Sequence, residues 1–310
     1  MTTKQLGHTG VFLPEVGLGT AAYRGTAAAL RAGFDAGAAF VDTAECYGTE
    51  AVVGQALRGC RERVFVTTKV SQCHFHRRDL VAACDRSLAA LGTDYIDLYL
   101  LHGPALAPDI RETMGAMESL VDDGKVRFIG VSNFDAVDLR EAQAAVRKHR
   151  IVANQMPYSL VERTVEDGLL DYCAATGVSV IAYSPLEHGM ENLLRSDKHG
   201  ALGFVARQYG KTPAQVALNW CLRHPHVHVI PKSDSAARME EACGASGWRL
   251  SEEGSAWLSR NVRFHRQTAF EAWLRRIVRR TAKRRMAQCK YAILGLQSHR
   301  KLGYNTVRYN

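Results

Sequence analysis

The chain has 310 residues, 46% hydrophobic and 23% charged, with 26 Gly and 8 Pro. This is the composition of a soluble globular protein and excludes disordered, fibrous and collagen-like chains. The formal net charge of +9 is unevenly spread: residues 259–310 carry 14 Lys and Arg against the single acid Glu271, a net of +13, while residues 1–258 carry 26 basic and 30 acidic side chains, a net of −4. The basic balance therefore gives no reason to expect nucleic-acid binding by the body.

Short apolar runs alternate with longer amphipathic ones through the body, the pattern of a parallel sheet covered by helices. In chain order, strands are predicted at 16–20, 40–42, 64–68, 98–101, 128–131, 152–154, 178–182 and 227–230. Helices are predicted between and after them at 26–37, 50–59, 77–91, 109–123, 135–148, 166–176, 201–223 with a break before Pro213, and 235–244. Eight β/α units in series match a closed (β/α)8 TIM barrel in number and length, spanning residues 1–258. Residues 259–310 form a separate basic extension. In it Phe270, Trp273, Leu274, Ile277 and Val278 repeat at helical spacing among arginines. That stripe reads as a helix packed on the barrel, with contact to a membrane surface or polyanion as the alternative.

No apolar run reaches the ~18 residues of a membrane span, and the first ten residues lack the hydrophobic stretch of a secretory signal. The expected compartment is the cytoplasm. The eight cysteines include no C-x-x-C pair and read as reduced thiols. Cys73-His-Phe-His76 has no second ligand pair at matching spacing, and the alternating His224, His226 and His228 read as a solvated or hydrogen-bonded strand entry, so no metal is expected. The first is read as a polar loop lining a substrate pocket. Gly17-Leu-Gly-Thr-Ala-Ala22, with Asp42 farther on, imitates a dinucleotide fingerprint. No tyrosine in the chain has a lysine four residues later, as a short-chain dehydrogenase would need, and the fingerprint is set aside.

Polar residues cluster just after the predicted strands: Asp42 and Tyr47, Lys69, His102, Ser132 and Asn133, Gln155, Tyr183 and Ser184, and Lys232. In a (β/α)8 barrel those positions open onto the C-terminal face, where active sites are built. Asp42, Tyr47, Lys69 and His102 suit proton donation to a carbonyl. A phenol titrates near 10 and needs a neighbouring cation to become a stronger acid. Lys69 is the candidate cation, Asp42 its anchor, and His102 a donor that orients the substrate oxygen. Ser132 and Asn133 can also cap the following helix.

The ordered set Val41-Asp-Thr-Ala-Glu-Cys-Tyr-Gly48, Thr67-Thr-Lys69, Leu100-Leu-His102, Gly124-Lys-Val-Arg-Phe-Ile-Gly-Val-Ser-Asn-Phe134, Asn154-Gln155, Tyr183-Ser-Pro-Leu186 and Ile230-Pro-Lys-Ser233 resembles the aldo-keto reductase superfamily. The resemblance implies an NADPH-dependent reductase that turns a small aldehyde or ketone into an alcohol and releases NADP+. It implies a catalytic set of Asp42, Tyr47, Lys69 and His102. Ser132, Asn133 and Gln155 would hold the nicotinamide carboxamide, and Tyr183 would stack on the ring. Ser184 and Leu186 would lie along the pyrophosphate, Lys232, Ser233 and Arg238 would grip the 2′-phosphate, and Glu241 would lie near the adenine. Where many members of the family follow the histidine with Trp, this chain has Gly103, which implies a wider pocket mouth. The short loop Glu187-His-Gly-Met190 implies a short strap over the cofactor. A nucleotide-sensing interaction protein with little turnover, or a Schiff-base enzyme using Lys69, are the alternatives from other classes.

Overall fold

The structure is a computed structural model and describes residues 1–264. The predicted amphipathic segment at 270–285 lies outside the described residues. A two-strand antiparallel hairpin, β1 (Thr3–Gln5) and β2 (Phe12–Pro14), precedes the barrel. Among the described residues, eight strands then pair in parallel and in sequence order: β3 (Leu18–Gly19), β4 (Phe40–Asp42), β5 (Phe65–Val70), β6 (Ile96–Leu101), β7 (Val126–Ser132), β8 (Ile151–Pro157), β9 (Ser179–Tyr183) and β10 (Val227–Ile230). The ring closes between β10 and the β3 segment through parallel bridges Val16↔Val229 and Gly19↔Lys232. The predicted (β/α)8 barrel is the observed fold.

Helices α1 (Ala27–Asp35), α2 (Glu50–Leu57), α3 (Arg77–Leu91), α4 (Ile110–Asp122), α5 (Ala136–Ala145) and α6 (Leu169–Thr176) cover the first strands, each following its own. After β9 come α7 (Met190–Ser196), α8 (Ala201–Tyr209) and α9 (Pro213–Cys221), and after β10 come α10 (Ala236–Cys243) and α11 (Glu252–Asn261). The break expected before Pro213 is real. Proline lacks the amide a helix interior needs, and here it opens α9 behind a Thr212–Gln215 capping box. α11 runs across the expected boundary at residue 258, and Ser259 accepts from the Trp220 indole and the Arg163 guanidinium.

The apparent dinucleotide fingerprint has a packing origin. A Cβ at Gly17 would stand 2.5 Å from the Phe40 ring, and one at Gly19 would stand 2.8 Å from the Ile230 carbonyl oxygen. Both glycines are needed where the first strand presses against β4 and β10 to close the barrel. Inside the barrel a small cluster of Phe40, Phe65, Leu98, Leu100, Ile181 and Ile230 is sealed from below by Leu6 and Leu13 of the hairpin segment. The larger apolar layer lies between strands and helices.

His228 belongs to this lower end. It is fully buried on β10, donates from Nδ1 to the Pro14 carbonyl at 3.2 Å, and stands edge-on to Phe40. Burial pulls its pKa down to about 4. Because the folded value lies below the unfolded one, its contribution to stability is present above about pH 6.5 and is lost as pH falls towards 4. That loss amounts to on the order of 3 kcal/mol. Melting temperatures measured across this range should fall with acid, and His228→Phe should flatten the curve. An equally steep acid loss in the variant would remove His228 from the account.

Candidate active site

Asp42 ends β4, and the chain then turns through a single 3-10 turn, Glu45–Tyr47, closed by Gly48 at φ 68°. Lys69 lies one residue before the end of β5, and His102 follows β6, where its amide donates to the Val70 carbonyl at 3.0 Å. The barrel register thus carries three consecutive strand ends to one place. Lys69 is completely buried and donates from Nζ to Asp42 Oδ1 at 2.6 Å and to the Thr43 carbonyl at 2.8 Å. Asp42 Oδ2 accepts from Gln155 Nε2 at 2.7 Å. The Tyr47 ring sits over this pair, its centroid 4.8 Å from Lys69 Nζ, and its hydroxyl is 3.4 Å from His102 Nε2.

Electrostatics follow from this burial. Burial works against the Lys69 charge, but the Asp42 carboxylate and the Tyr47 phenol outweigh it and hold the ammonium above its ordinary value. Burial likewise raises the Asp42 carboxyl, against the pull of Lys69 and Gln155. For Tyr47 the expectation of a lowered phenol pKa is overturned. Burial raises it, and the lowering effect of Lys69 does not compensate, because the Asp42 charge beside that ammonium acts in the opposite direction.

A second group of polar side chains continues around the same rim. Asn133 donates from Nδ2 to the His102 carbonyl at 3.0 Å and to Ser132 Oγ at 2.9 Å, and its Oδ1 accepts from the Tyr183 hydroxyl at 2.8 Å. Ser132 Oγ donates to the Gln155 carbonyl at 3.1 Å. Ser132, Asn133, Gln155 and Tyr183 are therefore one network with the Asp42–Lys69 pair. The capping role considered for Ser132 and Asn133 falls instead to Asp135, whose Oδ1 accepts from the amides of Val137 and Asp138.

Among the described residues the non-glycine positions with positive φ are Ala22, Asn133, Ser184, Glu187 and His188. All lie in the segments that follow the C-terminal ends of strands β3, β7 and β9. Ser184, half-buried Leu186 and the turn through His188 lead directly into α7, so the segment is as short as expected. Across the barrel Lys232 donates to Asp234 Oδ2 at 2.7 Å, and Asp234 Oδ1 accepts from the Arg24 amide at 2.9 Å. Ser233 Oγ accepts from the Ser235 amide, Arg238 is exposed on α10, and Glu241 on α10 accepts from Gln215 through its carbonyl oxygen.

Several contributors escape sequence reasoning. Glu45 accepts from the Ser71 amide and pairs with His74 Nδ1 at 3.0 Å. Hydrogen bonds to Cys73 and then to Glu45 push the His74 imidazole up to about 10. In the Cys73–His76 segment, expected as a polar loop lining a substrate pocket, His74 braces the Tyr47 turn, His76 reaches Glu112 at 3.3 Å, and Phe75 is core. Asp234, the counter-charge on Lys232, also gave no signal, since short acidic–basic alternation is common on surfaces.

The profile of the Aldo/keto reductase family matches residues 15–258. Methylglyoxal reductase YeaE of Escherichia coli (strain K12) is 38% identical over 262 residues, which is 81% of this chain and 91% of that protein. Glyoxal reductase of Bacillus subtilis (strain 168) is 35% identical over 256 residues, 79% of this chain and 88% of that one. A crystal structure of an aldo/keto reductase from Klebsiella pneumoniae in complex with NADP and acetate superposes with a TM-score of 0.78 at 36% identity, covering 86% of this chain and 98% of that one.

Proposed function

The chain belongs to the aldo/keto reductase family of oxidoreductases, and we propose that it reduces a small aldehyde or ketone to an alcohol with NADPH, Tyr47 giving the proton. The observation that carries this reading is the buried Asp42–Lys69 ion pair beneath a phenol that also faces His102. The rim residues suit the cofactor: Ser132, Asn133 and Gln155 offer amide and hydroxyl groups to a carboxamide, and Tyr183 offers an aromatic face held by Asn133. Ser184 and Leu186 would line the pyrophosphate, Lys232, Ser233 and Arg238 would bind the 2′-phosphate, and Glu241 would lie towards the adenine. When bound, NADPH supplies the hydride.

The protein's own residues then handle the proton and the developing charge. A raised phenol pKa keeps Tyr47 protonated at neutral pH, and an alkoxide forming beside it is a far stronger base, so the proton moves towards substrate oxygen. Lys69 stabilises the phenolate left behind, and Asp42 with Thr43 fixes the ammonium in place. An oxygen brought to the Tyr47 hydroxyl is also within reach of His102 Nε2, which orients it. Schiff-base chemistry at Lys69 is disfavoured, because a fully buried ammonium held above its ordinary pKa is not a nucleophile.

Absorbance of NADPH followed with a panel of small aldehydes, 2-oxoaldehydes first because of the relatives' names, tests the function. Oxidation should depend on the aldehyde. Tight NADPH binding with no turnover would instead favour nucleotide sensing. Cofactor choice gives a further expected outcome: Lys232→Ala should reduce the preference for NADPH over NADH by about tenfold, the low end for a charge-assisted contact, because Asp234 already shares the ammonium. Dissociation constants for both cofactors check this, and an unchanged ratio would remove Lys232 from the 2′-phosphate site.

A further inference from the structure

Strands β5 and β6 are parallel neighbours with Lys69 beside Leu100 and Val70 beside Leu101, and the His102 amide continues the ladder onto the Val70 carbonyl. The two chains therefore leave the sheet together. Ser71 and Gln72 emerge alongside His102 and Gly103. Gly103 has no side chain to fill the space next to His102, and a Cβ built there would meet Gln72 Nε2 at 2.8 Å and the Ser132 carbonyl oxygen at 3.8 Å. The Gln72 amide is thus held against the residue that follows His102.

That amide is unsatisfied. Gln72 Nε2 is a buried donor with no hydrogen-bond partner. Glu45, a nearby acceptor, is committed to the Ser71 amide and to His74. Buried polar groups in folded proteins are almost always paired, and this exception, beside the residue that follows His102, calls for an acceptor that arrives with the ligand. The terminal torsion of glutamine is soft, so the amide can turn towards such an acceptor without backbone movement.

We propose that Gln72 is a specificity residue that donates to an oxygen on the carbon next to the reacting carbonyl, so that the protein selects small 2-oxygenated aldehydes over plain alkyl aldehydes. This rests on the reductase function proposed above. A plain alkyl chain leaves the donor unmet in the bound complex, whereas a 2-oxo or 2-hydroxy group pairs with it. A pocket that must hydrogen-bond an atom discriminates against the analogue lacking it. The missing side chain at Gly103 lets the Gln72 amide lie against the chain beside His102.

The test compares 2-oxopropanal with propanal, which differ by the single oxygen. Gln72→Leu, similar in size and without a donor, should lower the ratio of kcat/KM for 2-oxopropanal to that for propanal about three- to tenfold, the range for one neutral hydrogen bond. Hydration of either aldehyde affects wild type and variant alike, so the change in ratio isolates the side chain. Gln72→Glu, which keeps the shape and replaces the donor with a carboxylate oxygen, should lower the ratio at least as far. NADPH titration of both variants checks that they are folded. If wild type oxidises NADPH with neither aldehyde, the reductase function falls and this inference with it. If wild type reduces both and neither substitution moves the ratio, the inference alone is overturned.

Discussion

Tyr47→Phe lowers kcat for aldehyde reduction by about 10²- to 10⁴-fold, the usual cost of a lost general acid, and leaves the dissociation constant for NADPH nearly unchanged. The substitution removes a single oxygen. The ring that packs at 77° against His102, with centroids 5.5 Å apart, remains, as does the face lying over the Lys69 ammonium. Folding and cofactor binding should therefore survive while proton delivery does not. The raised phenol pKa adds a pH signature: wild-type kcat should be level through neutral pH and fall only in alkali, where Tyr47 ionises. Steady-state rates with fluorescence titration of NADPH decide the matter, and a variant keeping more than about a tenth of wild-type kcat would take the acid role from Tyr47.

The barrel was legible in the sequence because every β/α unit carries its own period, and the predicted 40–42, 77–91 and 227–230 coincide with β4, α3 and β10. The errors at strand ends share one cause. Predicted strands stop at Thr68, Val131 and Asn154, where polar residues begin, but β5, β7 and β8 continue to Val70, Ser132 and Pro157. Lys69, Ser132 and Gln155 are buried in the barrel mouth with partners of their own, so polarity there does not mark the end of a strand. The β1–β2 hairpin was missed because Thr3-Lys-Gln5 holds no apolar residue and Phe12-Leu-Pro14 ends in proline, so neither reads as a strand-like apolar run. The start of α11 could have been found: Ser251 ahead of two glutamates is an N-terminal signature, and its hydroxyl caps the Gly254 amide.

The Asp42–Lys69 pair was legible from opposite charges on consecutive strand ends, but pairings of groups farther apart in kind and in sequence were not. Gln155 reaches Asp42 across 113 positions, and Glu45 meets His74 only because neighbouring strands deliver both loops to one rim. Residue type picked out the polar groups at the strand ends and the Asp42–Lys69 pair, but only the fold showed that Gln155, Asn133 and Tyr183 join it in one network. Gln155 illustrates the difference. The family resemblance implies a place for it at the nicotinamide carboxamide, whereas geometry shows that its Nε2 already serves Asp42, so one side chain would connect the proposed cofactor rim to the ion pair.

Lys69→Met tests that ion pair from both sides, because Lys69 has a chemical task and a structural one. Without the ammonium the Tyr47 phenol loses the only lowering influence of any size on it, and the phenolate formed on proton transfer loses its counter-charge, so kcat should fall by at least about 10²-fold. Asp42, 2% exposed, is meanwhile left as a buried carboxylate with Gln155 as its remaining side-chain donor. Breaking a buried pair from one side costs about 3–5 kcal/mol, so the variant should also melt several degrees below wild type. The pH dependence has a definite sign. Burial raises the Asp42 carboxyl above its unfolded value, and with Lys69 gone nothing comparable pulls it back, so the stability deficit is largest at neutral pH and narrows as acid neutralises the carboxylate. Asp42→Asn added to Lys69→Met removes the stranded charge while keeping an acceptor for Gln155, and should restore most of the melting temperature without restoring kcat. Stability and turnover then separate in one pair of proteins. Recovery of kcat to within about tenfold of wild type in the double variant would mean that Lys69 serves only to fold the barrel mouth and that proton transfer from Tyr47 does not need its charge.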